Sequence, residues 1–297
     1  MNLLRREFLA GGIAAAAGWA ALRVASGDAA RHSAGTRKRS RAPSARSRPR
    51  GNGLEGKRLG TIFNNDINNI LAASSGADMT AEEYQRAVFA ILDMKPGLLA
   101  QNVGMPDPVI YRSAVATAWD KYHEQVTRLV WPEAKAEDAG RQAAAMRKLL
   151  EADTDPLTLA IAACRERGVP IVASYRMNAE DFYQSTTLMS DFGRAHAQFK
   201  IPGANCLDPA VPEVFAHRME IFREAAERYD IDGIEFDFRR WYHMVSNPLE
   251  NHPVLTRMVC QTRRILDQVA RRKSRAKMLL GARVGPSLDS EPSPFRH

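Results

Sequence analysis

The chain is 297 residues long, 45% hydrophobic and 26% charged, the balance of an ordinary globular protein with room for one large or two small domains. Its net charge of +8 is confined to the start: residues 1–58 hold 13 Lys/Arg against 3 Asp/Glu, and the remainder 29 against 31. The rest of the chain is therefore near neutral and offers no basic face, which excludes a nucleic-acid-binding module.

Residues 1–30 read as an export signal. Arg5-Arg6-Glu7-Phe8-Leu9 leads into the apolar run Ala10 to Leu22, and Ala25-Ser26-Gly27 forms a small-residue cleavage region. The paired arginines followed by x-Phe-Leu resemble the twin-arginine signal, so the export machinery is one expected partner and the periplasm or cell envelope of a bacterium the expected location. The run is too short for a comfortable membrane span. Residues 31–58 repeat short basic runs (Arg37-Lys38-Arg39, Arg46-Ser47-Arg48) among Ser, Ala, Pro and Gly. Nothing in them can bury an apolar face, and they read as a disordered basic linker. Membrane contact is expected to be transient, through the signal and this basic tail alone.

From Leu59 the pattern becomes that of a folded α/β protein. Short β patterns fall near 61–65, 98–103, 170–176, 232–238 and 278–284. Helical patterns run from Ala81 to Asp93 behind a Thr80-x-x-Glu83 capping box, from Glu133 to Ala152, from Pro156 to Arg167 before Gly168, from about Pro212 to Arg228, and from Pro253 to Lys273. The stretch with Pro106, Pro108, Tyr111, Trp119, Tyr122 and Trp131 is long for a βα loop and reads as an excursion toward a ligand. Strand–helix alternation of this kind predicts a (β/α)8 TIM-barrel type fold with about five βα units. The chain supplies about 230 residues beyond the tail, and such a barrel typically takes about 250. The expectation is an incomplete barrel over residues 59–288 with a disordered tail at 289–297, truncated or closed by a partner chain, and poorly active alone because the edges near Ile62 and Leu280 lack partners.

The strand near 232–238 organises the reading. Ile234, Phe236 and Phe238 share one parity and Glu235, Asp237 and Arg239 the other, so one face is apolar and the other charged. Leu207-Asp208-Pro209-Ala210-Val211-Pro212-Glu213-Val214, a helix, and then Tyr229-Asp230-Ile231-Asp232-Gly233-Ile234-Glu235-Phe236-Asp237 resemble the glycosyl-hydrolase-like family 10 barrels, in which a D/N-P-x-x-P-E-V helix start leads into a Y-D-x-D-G-I-x-x-D strand. A more distant similarity is to the chitinase-type strand D-G-x-D-x-D-x-E. Asp232, Glu235 and Asp237 match it or nearly so, while Arg239 stands where that family carries its acid. An arginine cannot give up a proton at working pH, so the chitinase mechanism is not available.

The resemblance implies a carbohydrate substrate or ligand and glycoside-hydrolase-like chemistry, with a non-catalytic glycan binder built on a decayed barrel as the alternative. From the strand pattern, Asp237 and Glu235 are the candidate catalytic pair. Glu235 is expected to lie deeper, held by Arg176 or Arg283, with Asp237 left to titrate. Asn64, Asn102 and Asn178 lie near strand ends, where amides suit sugar hydroxyls. Tyr175, Trp241 and Tyr111 offer rings for a pyranose face, although core packing is the commoner use of an aromatic. Asp66, Arg239, His243 and Arg283 complete the candidate substrate contacts. One strand cannot easily flank a sugar ring with two carboxylates, so Asp66 or a further strand would supply the second. A metal site would need Asp237, His243 and Asp66 to converge, but no H-x-H or H-E-x-x-H pattern supports it, and no G-x-G-x-x-G follows a strand. No metal or cofactor is expected. Cys164, Cys206 and Cys260 are widely spaced and read as isolated buried thiols, or as one disulfide and one thiol in an exported protein.

Overall fold

The strands and helices alternate along the chain. The computed structural model describes residues 59–129, 133–177, 190–204, 206–239 and 244–285, all within the unit Pro49–His297. The elements are β1 (Ile62–Asn65), α1 (Asn69–Ala72), α2 (Ala81–Leu92), β2 (Leu98–Gly104), α3 (Trp119–Leu129), α4 (Glu133–Glu151), α5 (Pro156–Arg167), β3 (Ile171–Arg176), α6 (Asp191–Ala195), α7 (Pro212–Arg228), β4 (Gly233–Asp237), α8 (Pro248–Asn251), α9 (Pro253–Arg272) and β5 (Leu279–Arg283). Each β pattern expected from the sequence is a strand, within one or two residues at its ends.

All five strands are parallel and lie side by side in chain order, β1-β2-β3-β4-β5. This is an open sheet among the described residues, and closure into a barrel is not observed. The central strands β2, β3 and β4 are buried almost throughout, while β1 and β5 are half-exposed along their length, as edges are. The elements begin and end for local reasons. Thr80 Oγ1 accepts the Glu83 amide at the start of α2, and Asp155 accepts the Thr158 amide at the start of α5. The capping box is only half made, because the Glu83 carboxylate bonds Ser75 and not the Thr80 amide. Gly168 ends α5 at φ 66°, a left-handed conformation that glycine adopts without a Cβ penalty.

The main core lies between the sheet and its helices. Ile234 and Phe236 join it from β4, Tyr175 from β3, Leu99 and Val103 from β2; Tyr84, Val88 and Leu92 come from α2, and Met219 and Phe222 from α7. Phe236 sits 5.0 Å from Phe222, ring centre to ring centre. The opposite face, which would be the concave side of a closed barrel, starts with a small apolar patch of Leu98, Ala100 and Val172, with Leu279 against it. Two residues further along the strands it turns polar. At the entry to β4, Asp232 accepts the Ile171 amide at 2.9 Å, Arg165 at 2.8 Å and Arg275 at 3.2 Å, which ties α5, β3 and the turn after α9 to one carboxylate.

The excursion after β2 is pinned by buried groups. Asp155 accepts the Arg112 amide at 3.2 Å and the Tyr229 hydroxyl at 2.7 Å, Glu224 takes the Ala114 amide at 2.7 Å, and Asp107 takes the Thr117 amide at 2.8 Å and His217 at 2.9 Å. Burial pushes the Tyr111, Tyr175 and Tyr229 phenols above their usual range, so they stay neutral. Cys164 and Cys206 are buried thiols as expected; Cys260 is exposed on α9, which corrects that expectation for one of the three. Burial pushes the Cys164 thiol up to about 12 and leaves it inert. Among the described residues no helix is long and apolar enough to cross a membrane.

Gly233 is required by the approach of β5: a Cβ there would stand 2.2 Å from the Leu279 carbonyl oxygen. Gly281 differs, since its Cβ would meet the Glu235 side chain at 3.5 Å, an ordinary contact. Gly233→Ala should therefore cost about 2–3 kcal/mol in urea unfolding, as overpacking against backbone does, while Gly281→Ala should cost under about 1 kcal/mol.

Candidate functional site

The site is the polar part of the concave face, near the C-terminal ends of the strands, where α/β folds place ligands. The parallel register aligns Asn102 of β2, Ser174 of β3, Glu235 of β4 and Gly281 of β5 in one row. Two residues further on, Arg176, Asp237 and Arg283 form a second row. Neighbours in a parallel sheet share a face, so all seven residues belong to the same surface.

One guanidinium holds the centre. Arg283 donates through Nη1 to Asp237 Oδ2 at 3.2 Å and through Nη2 to Glu235 Oε1. Ser174 Oγ donates to the same Glu235 oxygen at 2.9 Å. Asp237 Oδ1 accepts the Arg239 amide at 3.1 Å and faces the Arg239 guanidinium at 3.5 Å. On the other flank Arg176 pairs with Asp66. Three carboxylates and three guanidinium groups thus alternate across the face, with no net charge among them.

Depth is the reverse of the expectation. Asp237 is fully buried and Glu235 keeps 12% of its side chain exposed. The cause is the composition of the rows. Asp237 lies among Arg176, Arg239 and Arg283, whereas Glu235 has the hydroxymethyl of Ser174 on one side and no side chain at Gly281 on the other. Both hydrogen bonds of Glu235 fall on Oε1, which leaves Oε2 toward the opening. Arg283, and not Arg176, is the cation between the two candidate carboxylates, and Arg176 instead serves Asp66.

The other candidates divide by face. Asn64 lies at the start of the polar surface and donates to the Ala100 carbonyl at 3.4 Å. Asn102 is 1% exposed, and neither atom of its amide has a hydrogen-bond partner. Tyr175 corrects the stacking expectation: it is fully buried on the helix side, 4.9 Å from Phe222, with its hydroxyl 3.0 Å from that of Tyr111. Neither ring is available to a ligand on the concave face. Asn178, Trp241 and His243 lie outside the described residues. Among the described residues no group of three or more His, Cys, Asp or Glu could hold a metal ion. Sequence reasoning passed over Ser174 as a partner of Glu235 and Gly281 as the gap beside it. The shared parity of Ser174 with Arg176 and the small residue in the last strand were the available signals. A pocket of about 360 Å³ lined by Arg112, Asp155, Arg228 and Tyr229 shares no residue with this face, and its cations are paired, Arg112 with Asp153 of the lining and Arg228 with Glu224.

No protein-family model matches the chain, and no curated protein matches it at a significant level. Several solved structures overlap it in backbone. Alpha-L-fucosidase isoenzyme 2 from Paenibacillus thiaminolyticus does so with a TM-score of 0.39 and 12% identity, over 75% of this chain and 32% of that one. For the debranching enzyme from Nostoc punctiforme the values are 0.38 and 13%, over 76% and 48%. For the galactosidase domain of an alpha-galactosidase-sucrose kinase they are 0.38 and 14%, over 79% and 28%. The chain spans less than half the length of each. Scores this low leave the fold to be read from the chain's own sheet.

Removing the shared cation tests the electrostatics. Arg283→Met should destabilise the protein by about 3–5 kcal/mol in urea unfolding, because it strands two carboxylates on a largely buried face. Adding Glu235→Gln and Asp237→Asn should restore most of that loss.

Proposed function

We propose that the chain is an exported carbohydrate-active protein of the glycoside-hydrolase type, with a neutral glycan lying along the concave row. The observation that carries this reading is the row itself: acceptors and donors alternate, charge is balanced, and one carboxylate oxygen faces the opening. Each sugar hydroxyl both donates and accepts, so carboxylate next to guanidinium suits a polyol. A phosphate or carboxylate ligand would need a net positive site.

Within this reading Glu235 carries the chemistry and Asp237 positions Arg283, an exchange of the ranks the sequence suggests. In turnover Glu235 takes up a proton on Oε2, the oxygen that Arg283 and Ser174 leave open, and gives it to the glycosidic oxygen as the bond to the anomeric carbon breaks. Water adds to that carbon, and its proton goes to a second carboxylate. Asp66 is the remaining carboxylate of the row. Retention needs the two about 5 Å apart and inversion about 6.5–9.5 Å. The second reading, a non-catalytic glycan-binding envelope protein, draws on a specific observation: Arg283 stands between Glu235 and Asp237, so no sugar ring fits there, and Asp66 is engaged by Arg176.

Turnover and binding on a panel of neutral oligosaccharides separate the two. Under the enzyme reading Glu235→Gln lowers turnover by about 10²–10⁴-fold with binding retained, the usual contribution of an acid–base group. Binding without turnover by the unaltered protein selects the binder, and neither binding nor turnover removes the carbohydrate reading. Export rests on residues 1–30: replacing Arg5 and Arg6 by Lys should hold the precursor in the cytoplasm, whereas unimpeded export would indicate the general secretory route.

A further inference from the structure

Asn102 sits in a place where an apolar residue would be easier to accommodate. It is 1% exposed, and its Nδ2 and Oδ1 are both buried without a hydrogen-bond partner. A buried polar group left unmet is costly, and native proteins rarely carry one without a use for it. The register settles which way it faces, since Asn102 pairs with Ser174, and Ser174 with Glu235. The Ser174 hydroxyl points its hydrogen at Glu235 Oε1, so it does not donate to the neighbouring amide.

What lies above Asn102 follows from strand order. Asn65 is the register partner of Gln101, which brings Asp66, the next residue, level with Asn102. Arg176 lies two residues beyond Ser174 on β3. Strand β2 runs between them, so the Asp66–Arg176 ion pair has to cross the concave side of β2 at the level of residues 102–104. The pair retains 29% and 14% side-chain exposure. The pair is part-buried, so it moves aside only where a ligand's own hydroxyls take up the groups it releases.

We infer that Asn102 is a ligand-anchoring residue whose amide takes a vicinal diol of a neutral sugar once the Asp66–Arg176 pair moves aside; this rests on the carbohydrate reading above. A carboxamide presents an acceptor and a donor side by side, and adjacent hydroxyls offer one donor and one acceptor at matching separation. A cation satisfies Oδ1 but not Nδ2. An anion satisfies Nδ2 but not Oδ1, since it has no hydrogen to donate. Only a neutral ligand with paired donor and acceptor meets both atoms. Asp66 and Arg176, released from each other, then bond the hydroxyls that flank the diol, so the ion pair that covers the amide becomes part of the grip.

The test is Asn102→Leu in the full chain, read by urea unfolding without ligand and by calorimetric titration with maltotetraose, cellotetraose and xylotetraose. Leucine keeps the same branched heavy-atom skeleton and has no groups to leave unmet. The expected result is a higher urea midpoint together with at least a tenfold weaker affinity for whichever oligosaccharide the unaltered protein binds. A structural amide would behave otherwise. Unchanged affinity overturns the inference whatever happens to stability. A fall in both shows that the amide is already satisfied in the empty protein, and overturns it too. If the unaltered protein binds none of the three sugars, the carbohydrate reading itself fails and this inference goes with it.

Discussion

Two carboxylates two residues apart on a buried strand need a cation between them, and Arg283 is that cation. Its guanidinium reaches Asp237 with one nitrogen and Glu235 with the other. Planar geometry suits this task, since the two donors are held in a fixed fork where an ammonium would offer one point of charge. The arrangement explains why β5 must approach β4 so closely. Gly233 removes the Cβ that would keep the strands apart, and Gly281 places no side chain beside Glu235.

The helix side of the sheet makes this precision possible. Tyr111, Tyr175, Tyr229, Asp155 and Glu224 form a buried polar layer that fastens the stretch after β2 to α5 and α7. Buried networks whose members are satisfied hold a single arrangement, because any alternative leaves groups unmet. Asp232 does the same at the entry to β4, with two arginines and one backbone amide on a single carboxylate. The strand that carries Glu235 and Asp237 is therefore fixed at its start before its charged face meets anything.

Against that rigid background Asn102 stands out. The concave face pairs each carboxylate with a guanidinium, whereas both polar atoms of this amide are unmatched beside the part-buried Asp66–Arg176 ion pair. Under the carbohydrate reading proposed above, a polar and neutral ligand supplies the partners this amide lacks. The two ends of the face differ: near Leu98 and Val172 it closes on apolar contact, and near Arg176 and Arg283 it carries charge.

The sequence by itself determined the elements and their faces. Period-two alternation placed Phe236 toward the helices and Asp237 away from them, and capping residues and Gly168 set the helix limits within one or two residues. The same parity rule put Tyr175 beside Ala173 and Ile171 on the apolar side, so its place in the core was legible from the strand pattern, although the ring chemistry suggested otherwise. Only the tertiary structure decided which cation serves which carboxylate. Arg176 and Arg283 are equivalent as letters, but each lies on a different strand, and register, a relation between residues 36 to 110 positions apart in the bonds described, assigns one to Asp66 and the other to Glu235 and Asp237. Depth was decided in the same way: Glu235 lies in the row nearer the sheet's apolar end yet is the more exposed, because its neighbours on adjacent strands are a serine and a glycine. A local pattern fixes which face a side chain takes, and only the neighbouring strands fix what it meets there.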